Sequence, residues 1–476
     1  MSAPYLSKSR YLSGLKCDLQ LWLDGHDRAR ATPFDEVQGQ LFRMGNEVGD
    51  AARLLFPEGV LVAEKYTHHD AAVATTQALL ADASVPAIFE AAFEVETVRI
   101  RVDILERRAG GCWGLREVKS TGRVKREAHL EDLAIQRWVL EGAGLEIDSA
   151  ELVHVNSRYT RGEEGIDWPG YFERVELIED LQLSERKVLS GRIAHMRGVM
   201  EDRAAPVREP GNFCRKSTVC RYWDDCTRDL SPEAISEIRA PKKRKKGPRT
   251  EESPADEPWY SPRLGQALAR IVGPVWALDF EAMGPAIPLY AGTRPYQAIA
   301  FQWSLHRLNL DGTVEHFEFL ADGRSDPRPE VADALIERLG DEPGSILSYS
   351  GYESRCIADM ATRSPKLAGP LKAIAARLVD LLPIMKKNVD HPDFKGSYSM
   401  KTVGPALAGS VGYDAYDSLG GVASGFGALA AFAEIVQGRL SDEEEARVRG
   451  ELLAYCKLDT RSLLGVYQAL VRESSV

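Results

Sequence analysis

The chain has 476 residues, enough for two or three domains, and its 44% hydrophobic and 28% charged residues are those of ordinary globular material. No apolar run approaches the length of a membrane-spanning helix. The net charge of −11 argues against a protein that coats nucleic acid nonspecifically. It does not exclude a nuclease, which gathers carboxylates at its site and confines basic residues to a groove.

The first ten residues hold no apolar core followed by a cleavage site, so a cytoplasmic protein without membrane contact is expected. In a reducing compartment seven cysteines, an odd number, read as ligands or core residues rather than disulfides. Residues 10–26 read as one helical piece, with Leu12, Leu15, Leu19 and Trp22 at helical spacing and Cys17 within it. Residues 35–55 form a second helix, ended by the Phe56-Pro57-Glu58-Gly59 stretch. Glu47 on that helix is either a metal ligand or a solvated carboxylate.

The period changes over residues 87–119. Two β-rich segments, 87–95 and 98–105, alternate apolar and polar residues, and Gly110-Gly111 turns the chain into a third, 112–120. A helix over 128–143 follows. Asp103 then lies on one strand and Glu117 and Lys119 on the next, two residues apart and therefore on one side of it. Two carboxylates there can hold a divalent metal that polarises a phosphodiester and lowers the pKa of an attacking water. The lysine can position that water or offset developing charge. The alternative is a set of charged residues facing solvent. Gln136, on the following helix, either donates to a phosphate or base or is simply exposed.

Cys214, Cys220 and Cys226 recur with five residues between each pair, a spacing that can converge on one soft metal centre. Three thiolates leave such a site one ligand short, and Cys17 is the candidate fourth. Spacing alone fits a four-cysteine zinc site as well as an iron–sulfur cluster. Residues 237–262, rich in proline and mixed charge, read as a linker whose basic run is either a solvated tether or a contact for a nucleic-acid backbone.

On Asp103, Glu117-Val118-Lys119, Gln136 and one early cysteine paired with a late triplet, residues 1–230 resemble the RecB-like branch of the PD-(D/E)XK nucleases, in particular its iron–sulfur members. The resemblance implies a [4Fe–4S] cluster on Cys17, Cys214, Cys220 and Cys226, and Mg²⁺- or Mn²⁺-dependent cleavage of DNA. Leu140 stands where these proteins usually carry a tyrosine after the glutamine. Asn46-Glu47 stands where many carry a metal-binding histidine, which makes Glu47 the substitute ligand.

Beyond residue 261 the pattern restarts. Strands are expected at 274–281, 296–305, 315–320 and 345–350, with helices near 330–339, from 352, and from about 442, which together make an α/β layer fold with a mixed sheet. Asp279 and Glu281 lie on one face of the first strand. With a carboxylate on a distant helix they could form a two-metal clamp for in-line phosphoryl displacement. Tyr455, four residues before Asp459 on one helical face, could orient the attacking water. Cys356 and Cys456 read as core. Residues 396–401 are either a phosphate contact or a turn and helix cap, and Asp380 is a reserve ligand.

Together residues 274–470 resemble the DEDD (DnaQ-like, RNase H-fold) 3′→5′ exonucleases. Asp279-Phe280-Glu281 matches the first motif, Tyr455 and Asp459 match the third, and Glu353 stands where the second has aspartate. The expected fold class is α/β. A PD-(D/E)XK restriction-endonuclease-like domain with an Fe–S cluster spans 1–236, a linker spans 237–262, and an RNase H-like (DnaQ-like) mixed-sheet domain spans 263–476. The expected function is a metal-dependent DNA nuclease with two hydrolytic centres, acting on single-stranded DNA or DNA ends in repair, CRISPR-type adaptation or phage defence. The rivals are a nucleic-acid-binding platform with one or both centres inactive, and an RNase acting through the second half.

Overall fold

The computed structural model describes residues 5–181, 183–215, 218–239, 257–409, 422 and 425–474. Two units separate by internal packing: Met1–Ala240 with Pro285–Tyr296, and Pro241–Gly284 with Gln297–Val476. Residues 240–256 of the expected linker, with its basic run, lie outside the described residues. The rest of that linker is structured. Residues 237–239 close a helix over Pro232–Arg239, and Trp259–Tyr260 pairs antiparallel with Val389–Asp390.

In the first unit the chain opens with β1 (Leu6–Ser7), α1 (Lys8–Gly14), α2 (Asp18–His26) and α3 (Glu36–Ala52). The single helix expected over 10–26 is two. The Ser7 hydroxyl caps α1, and the chain then extends at Cys17, which is the N-cap residue of α2. Gly14 packs against the Met196 side chain, whose flexible end would lie 2.9 Å from an added Cβ. A capping box between Asp35 and Gln38 starts α3.

The alternating segments become β2 (Val60–Leu61), β3 (Ala87–Val95), β4 (Val98–Arg107), β5 (Trp113–Lys119), β6 (Ile147–Val155) and β7 (Phe172–Glu176). They lie side by side in that order, with β1 parallel to β4. β3, β4 and β5 form an antiparallel meander. Glu96 and Thr97, both at positive φ, make the two-residue turn between its first strands. α4 (Arg126–Gly142) then carries the chain across to β6, which runs parallel to β5. Both faces are covered. One packs Leu115 and Leu133 with Ile193 of α5 (Leu183–Glu201); the other packs Val48, Ile104, Val153 and Tyr171. Ala286, from the inserted segment 285–296, joins the second cluster, and its carbonyl accepts from the Tyr171 hydroxyl at 3.0 Å.

The second unit is built on β8 (Val275–Met283), β9 (Ile299–Leu308), β10 (Val314–Leu320), β11 (Ile346–Ser348) and β12 (Leu378–Asp380). Their order is β10-β9-β8-β11-β12, antiparallel across the first three and parallel from β8 to β12. The helices that matter to the site are α6 (Tyr352–Arg363), α7 (Met400–Ala408) and α8 (Asp442–Ser474). α8 buries Val448, Leu452, Tyr455, Leu463 and Leu470 in a helical stripe over the sheet. The chain is thus mixed α/β with two mixed sheets. Among the described residues no helix is long and apolar enough to cross a membrane.

Candidate metal centres

Three clusters of ligand-type side chains emerge, two in the first unit and one in the second. Cys17, Cys214, Cys220 and Cys226 line one cavity of about 340 Å³. The α1–α2 break brings Cys17 there. The Cys220 N–H donates to the Cys214 carbonyl at 2.7 Å, and the Cys226 N–H donates to the Tyr222 carbonyl at 2.8 Å, so the late triplet is wound into a tight turn. Tyr222 anchors it to α2 by donating to Asp24 Oδ1 at 2.8 Å. Burial raises the Cys220 and Cys226 thiols, and both also lie in the field of Cys17 and Cys214, which adds to the shift.

The second cluster sits on β4, β5 and α4. Glu117 is buried, and three groups converge on it. Lys8 Nζ donates to its two oxygens at 3.0 and 3.1 Å, Lys119 Nζ at 2.5 Å, and Gln136 Nε2 at 2.7 Å. Asp132 completes the set, 2.6 Å from Lys119 Nζ and 3.4 Å from Lys8 Nζ. Asp103 Oδ2 accepts from the Val118 N–H at 2.7 Å. The electrostatics split the carboxylates. Burial, then the Glu117 charge, pushes Asp103 up to about 7. Burial would raise Glu117 too, but Lys8 and Lys119 outweigh it and hold that carboxyl well below the usual range. A pair of carboxyls driven apart in this way is a common mark of a functional site.

Gln136 is not exposed; it is fully buried and bonded to Glu117. Glu47 is exposed on α3, and none of the hydrogen bonds of this centre reaches it among the described residues. Sequence reasoning missed Lys8 and Asp132. Asp132 had a signal, since it lies four residues before Gln136 on the same face of α4. Lys8, in a Ser-Lys-Ser-Arg stretch, had none.

The third cluster belongs to β8, α6 and α8. Among the described residues, one set of ligand atoms meets within 4.8 Å: those of Asp279, Glu281 and Cys456. The Cys456 sulfur is 3.7 Å from Asp279 Oδ2. Cys456 is buried, as expected of a core residue, yet it also touches the carboxylate, and its position three residues before Asp459 was the available clue. Asp279 is raised well above the usual carboxylate range by burial and then by the charges of Asp459, Glu281 and Glu353. Glu281 is raised likewise by burial and Asp459, with Lys401 of α7 opposing. Burial pushes Glu353 up to about 7, and its Oε2 has no hydrogen-bond partner among the described residues. Tyr455 lies in the field of Asp459, Glu281 and Asp279, which with burial raises its hydroxyl. Asp279 therefore lies within electrostatic reach of Glu281, Glu353 and Asp459, and Tyr455 within reach of Asp279, Glu281 and Asp459. Asp380 works as a helix cap: its Oδ1 accepts from the Ser350 and Leu382 N–H groups, both at 2.9 Å.

Four carboxyls gathered in this way resist full ionisation, and a bound cation would relieve that resistance. A family model described as a domain of unknown function (DUF2779) matches residues 276–399, a span that includes Asp279, Glu281 and Glu353 and stops before Tyr455 and Asp459. No curated protein matches the chain.

Proposed function

We propose that this chain is a metal-dependent nuclease with two phosphodiester-hydrolysing centres, one in each unit, acting on DNA single strands or ends. The observation that carries the reading is the convergence of Asp279, Glu281 and Cys456 within 4.8 Å, under the charges of Asp459 and Glu353. A bound Mg²⁺ or Mn²⁺ would there act as Lewis acid and lower the pKa of a water. Asp279, Glu281, Glu353 and Asp459 would hold the ions, and Tyr455 would orient the attacking water for 3′→5′ removal of nucleotides. Lys401, whose charge faces Glu281, offsets charge on the phosphate. In the first unit Asp103 and Glu117 would be the ligands and Lys119 would offset charge on the phosphate, while Gln136 fixes the Glu117 carboxylate. The folds proposed for the two units are PD-(D/E)XK and RNase H-like (DnaQ-like).

The four cysteines hold a [4Fe–4S] cluster on this reading. All four line one cavity, as a four-cysteine centre requires. Its role is structural, since it ties α2 to the segment that closes the first unit. A second reading rests on Lys8. With its ammonium on both Glu117 oxygens, the first centre could serve as an inactive nucleic-acid platform beside an active second centre. Manganese titration by calorimetry tests both readings. Two classes of bound ion are expected, of which Asp279→Ala abolishes one and leaves the other; a protein that binds no Mn²⁺ contradicts the nuclease reading, and an Asp279→Ala protein that binds none at all favours the platform.

A further inference from the structure

A groove of about 680 Å³ runs over the first unit beside the carboxylate centre, and its charge is opposite to that of the whole chain. Lys8, Arg10, Arg28, Arg99, Arg101 and Arg221 line it, against one carboxylate, Asp24. Several of these cations are held by neutral partners. Arg10 donates to the carbonyls of Tyr5 and Asp24, both at 2.8 Å. Arg101 donates to the carbonyl of Glu64 at 2.7 Å and to that of Glu90 at 3.3 Å. Arg221 donates to the Thr32 carbonyl at 3.2 Å and stacks 4.0 Å over the Phe34 ring. A guanidinium fixed by carbonyls and rings keeps its charge uncancelled and its position set.

Two further features point to a ligand. Tyr66 and Phe34 line the same groove and are open to solvent, Tyr66 at 81% exposure and Phe34 at 45% even with Arg221 over its ring and Phe42 perpendicular to it. His69, also on the groove and 7% exposed, has a buried Nε2 with no hydrogen-bond partner among the described residues. Flat exposed rings between fixed cations are what unstacked bases and a phosphate backbone require. A duplex offers no base face to such rings. Lys8 joins the groove to the centre, because its Nζ lies on Glu117.

The geometry points to this groove as the track that delivers a single DNA strand to the Asp103–Glu117 centre, with Tyr66 and Phe34 stacking bases and Arg10, Arg28, Arg101 and Arg221 holding phosphates. The assignment rests on the nuclease reading of that centre. The test uses the full chain without divalent ions, a fluorescein-labelled oligo(dT), and anisotropy over a salt series. Tyr66→Ala and Arg28→Ala alter exposed side chains and should leave the thermal melt unchanged. Tyr66→Ala should weaken binding roughly tenfold with the salt slope unchanged. Arg28→Ala should reduce the slope of log affinity against log salt by roughly 0.7. An oligonucleotide carrying 5-iodo-deoxyuridine should photocrosslink to peptides bearing Tyr66 or Phe34. Native-like affinity and slope in both variants, crosslinks confined to other segments, or equal affinity for a duplex of the same length would overturn the groove. Its failure is separable from that of the nuclease reading. Metal-dependent cleavage by both variants with native affinity sinks the groove alone, whereas weakened binding in a protein that never cleaves sinks the nuclease reading and leaves the groove standing.

Discussion

Glu353 offers a direct energetic test of the second centre. Its carboxyl is 3% exposed, one oxygen lacks a hydrogen bond, and burial moves it from the ordinary 4.5 to about 7. The folded state thus holds the proton more tightly than the unfolded chain does, and stability falls as pH rises between those values. The full cost of ionisation is present above pH 7. At 1.36 kcal/mol per pH unit it amounts to about 3 kcal/mol at pH 8 and under about 1 kcal/mol at pH 5. Glu353→Gln removes that cost, and the amide gives up no bond at the unpartnered oxygen. In chelator at pH 8 the transition of the second unit should therefore rise by roughly 6–12 °C. The gain should shrink at pH 5, and Mn²⁺ should protect the native protein more than the variant. Differential scanning calorimetry reads all three. A variant that melts no higher than native at pH 8, or gains as much at pH 5, refutes the reasoning.

Cys220→Ser should bleach the broad brown absorption of anaerobically purified protein and lower the melt of the first unit while sparing the second; a native protein that is colourless and carries zinc refutes the cluster. Lys8→Met, made in the Asp279→Ala protein, removes a charge-assisted bond worth about 1.5–3 kcal/mol to Glu117 and should lower the Mn²⁺ needed for cleavage by the first centre roughly tenfold or more. An unchanged requirement in that titration means Lys8 does not compete with the ion. His306, buried against Thr460 Oγ1 at 2.9 Å, is pushed down to about 3 by burial and then by His316, itself pushed down to about 4. Both are neutral in the fold and would be protonated in the unfolded chain below pH 6.5, so stability present above 6.5 is lost as pH falls toward 3. His306→Gln should remove up to about 1.4 kcal/mol per pH unit of that slope in urea unfolding, and an unaltered slope contradicts its burial as a neutral group.

Much of the local pattern was readable from residue spacing. Period-two alternation placed Asp103 on one strand and Glu117 with Lys119 on the next, and both units show mixed sheets. Asp279 and Glu281 share a strand in the structure as their spacing required. What stayed hidden depends on contacts far apart in sequence. Helical spacing runs unbroken through residues 10–26, yet the backbone extends at Cys17, two helices form, and Cys17 lines the cysteine cavity. Lys8 reaches Glu117 across 109 residues, which no local pattern encodes. Residues 285–296 pack with the first unit although they follow a strand of the second, and neither composition nor charge marks the excursion. Asp132 and Cys456 were within reach of spacing arguments, at four residues from Gln136 and three from Asp459, had buried polar positions been sought beside each candidate ligand.

The most direct measurement is degradation of a labelled single-stranded DNA by the full chain in Mn²⁺, comparing native protein with Asp103→Ala, Asp279→Ala and the double variant. The expected result is partial loss in each single variant, with 3′→5′ stepwise products disappearing in Asp279→Ala, and no degradation by the double variant. Full activity in the double variant, or native protein that leaves the DNA intact with every divalent ion tried, would contradict two carboxylate-based hydrolytic centres.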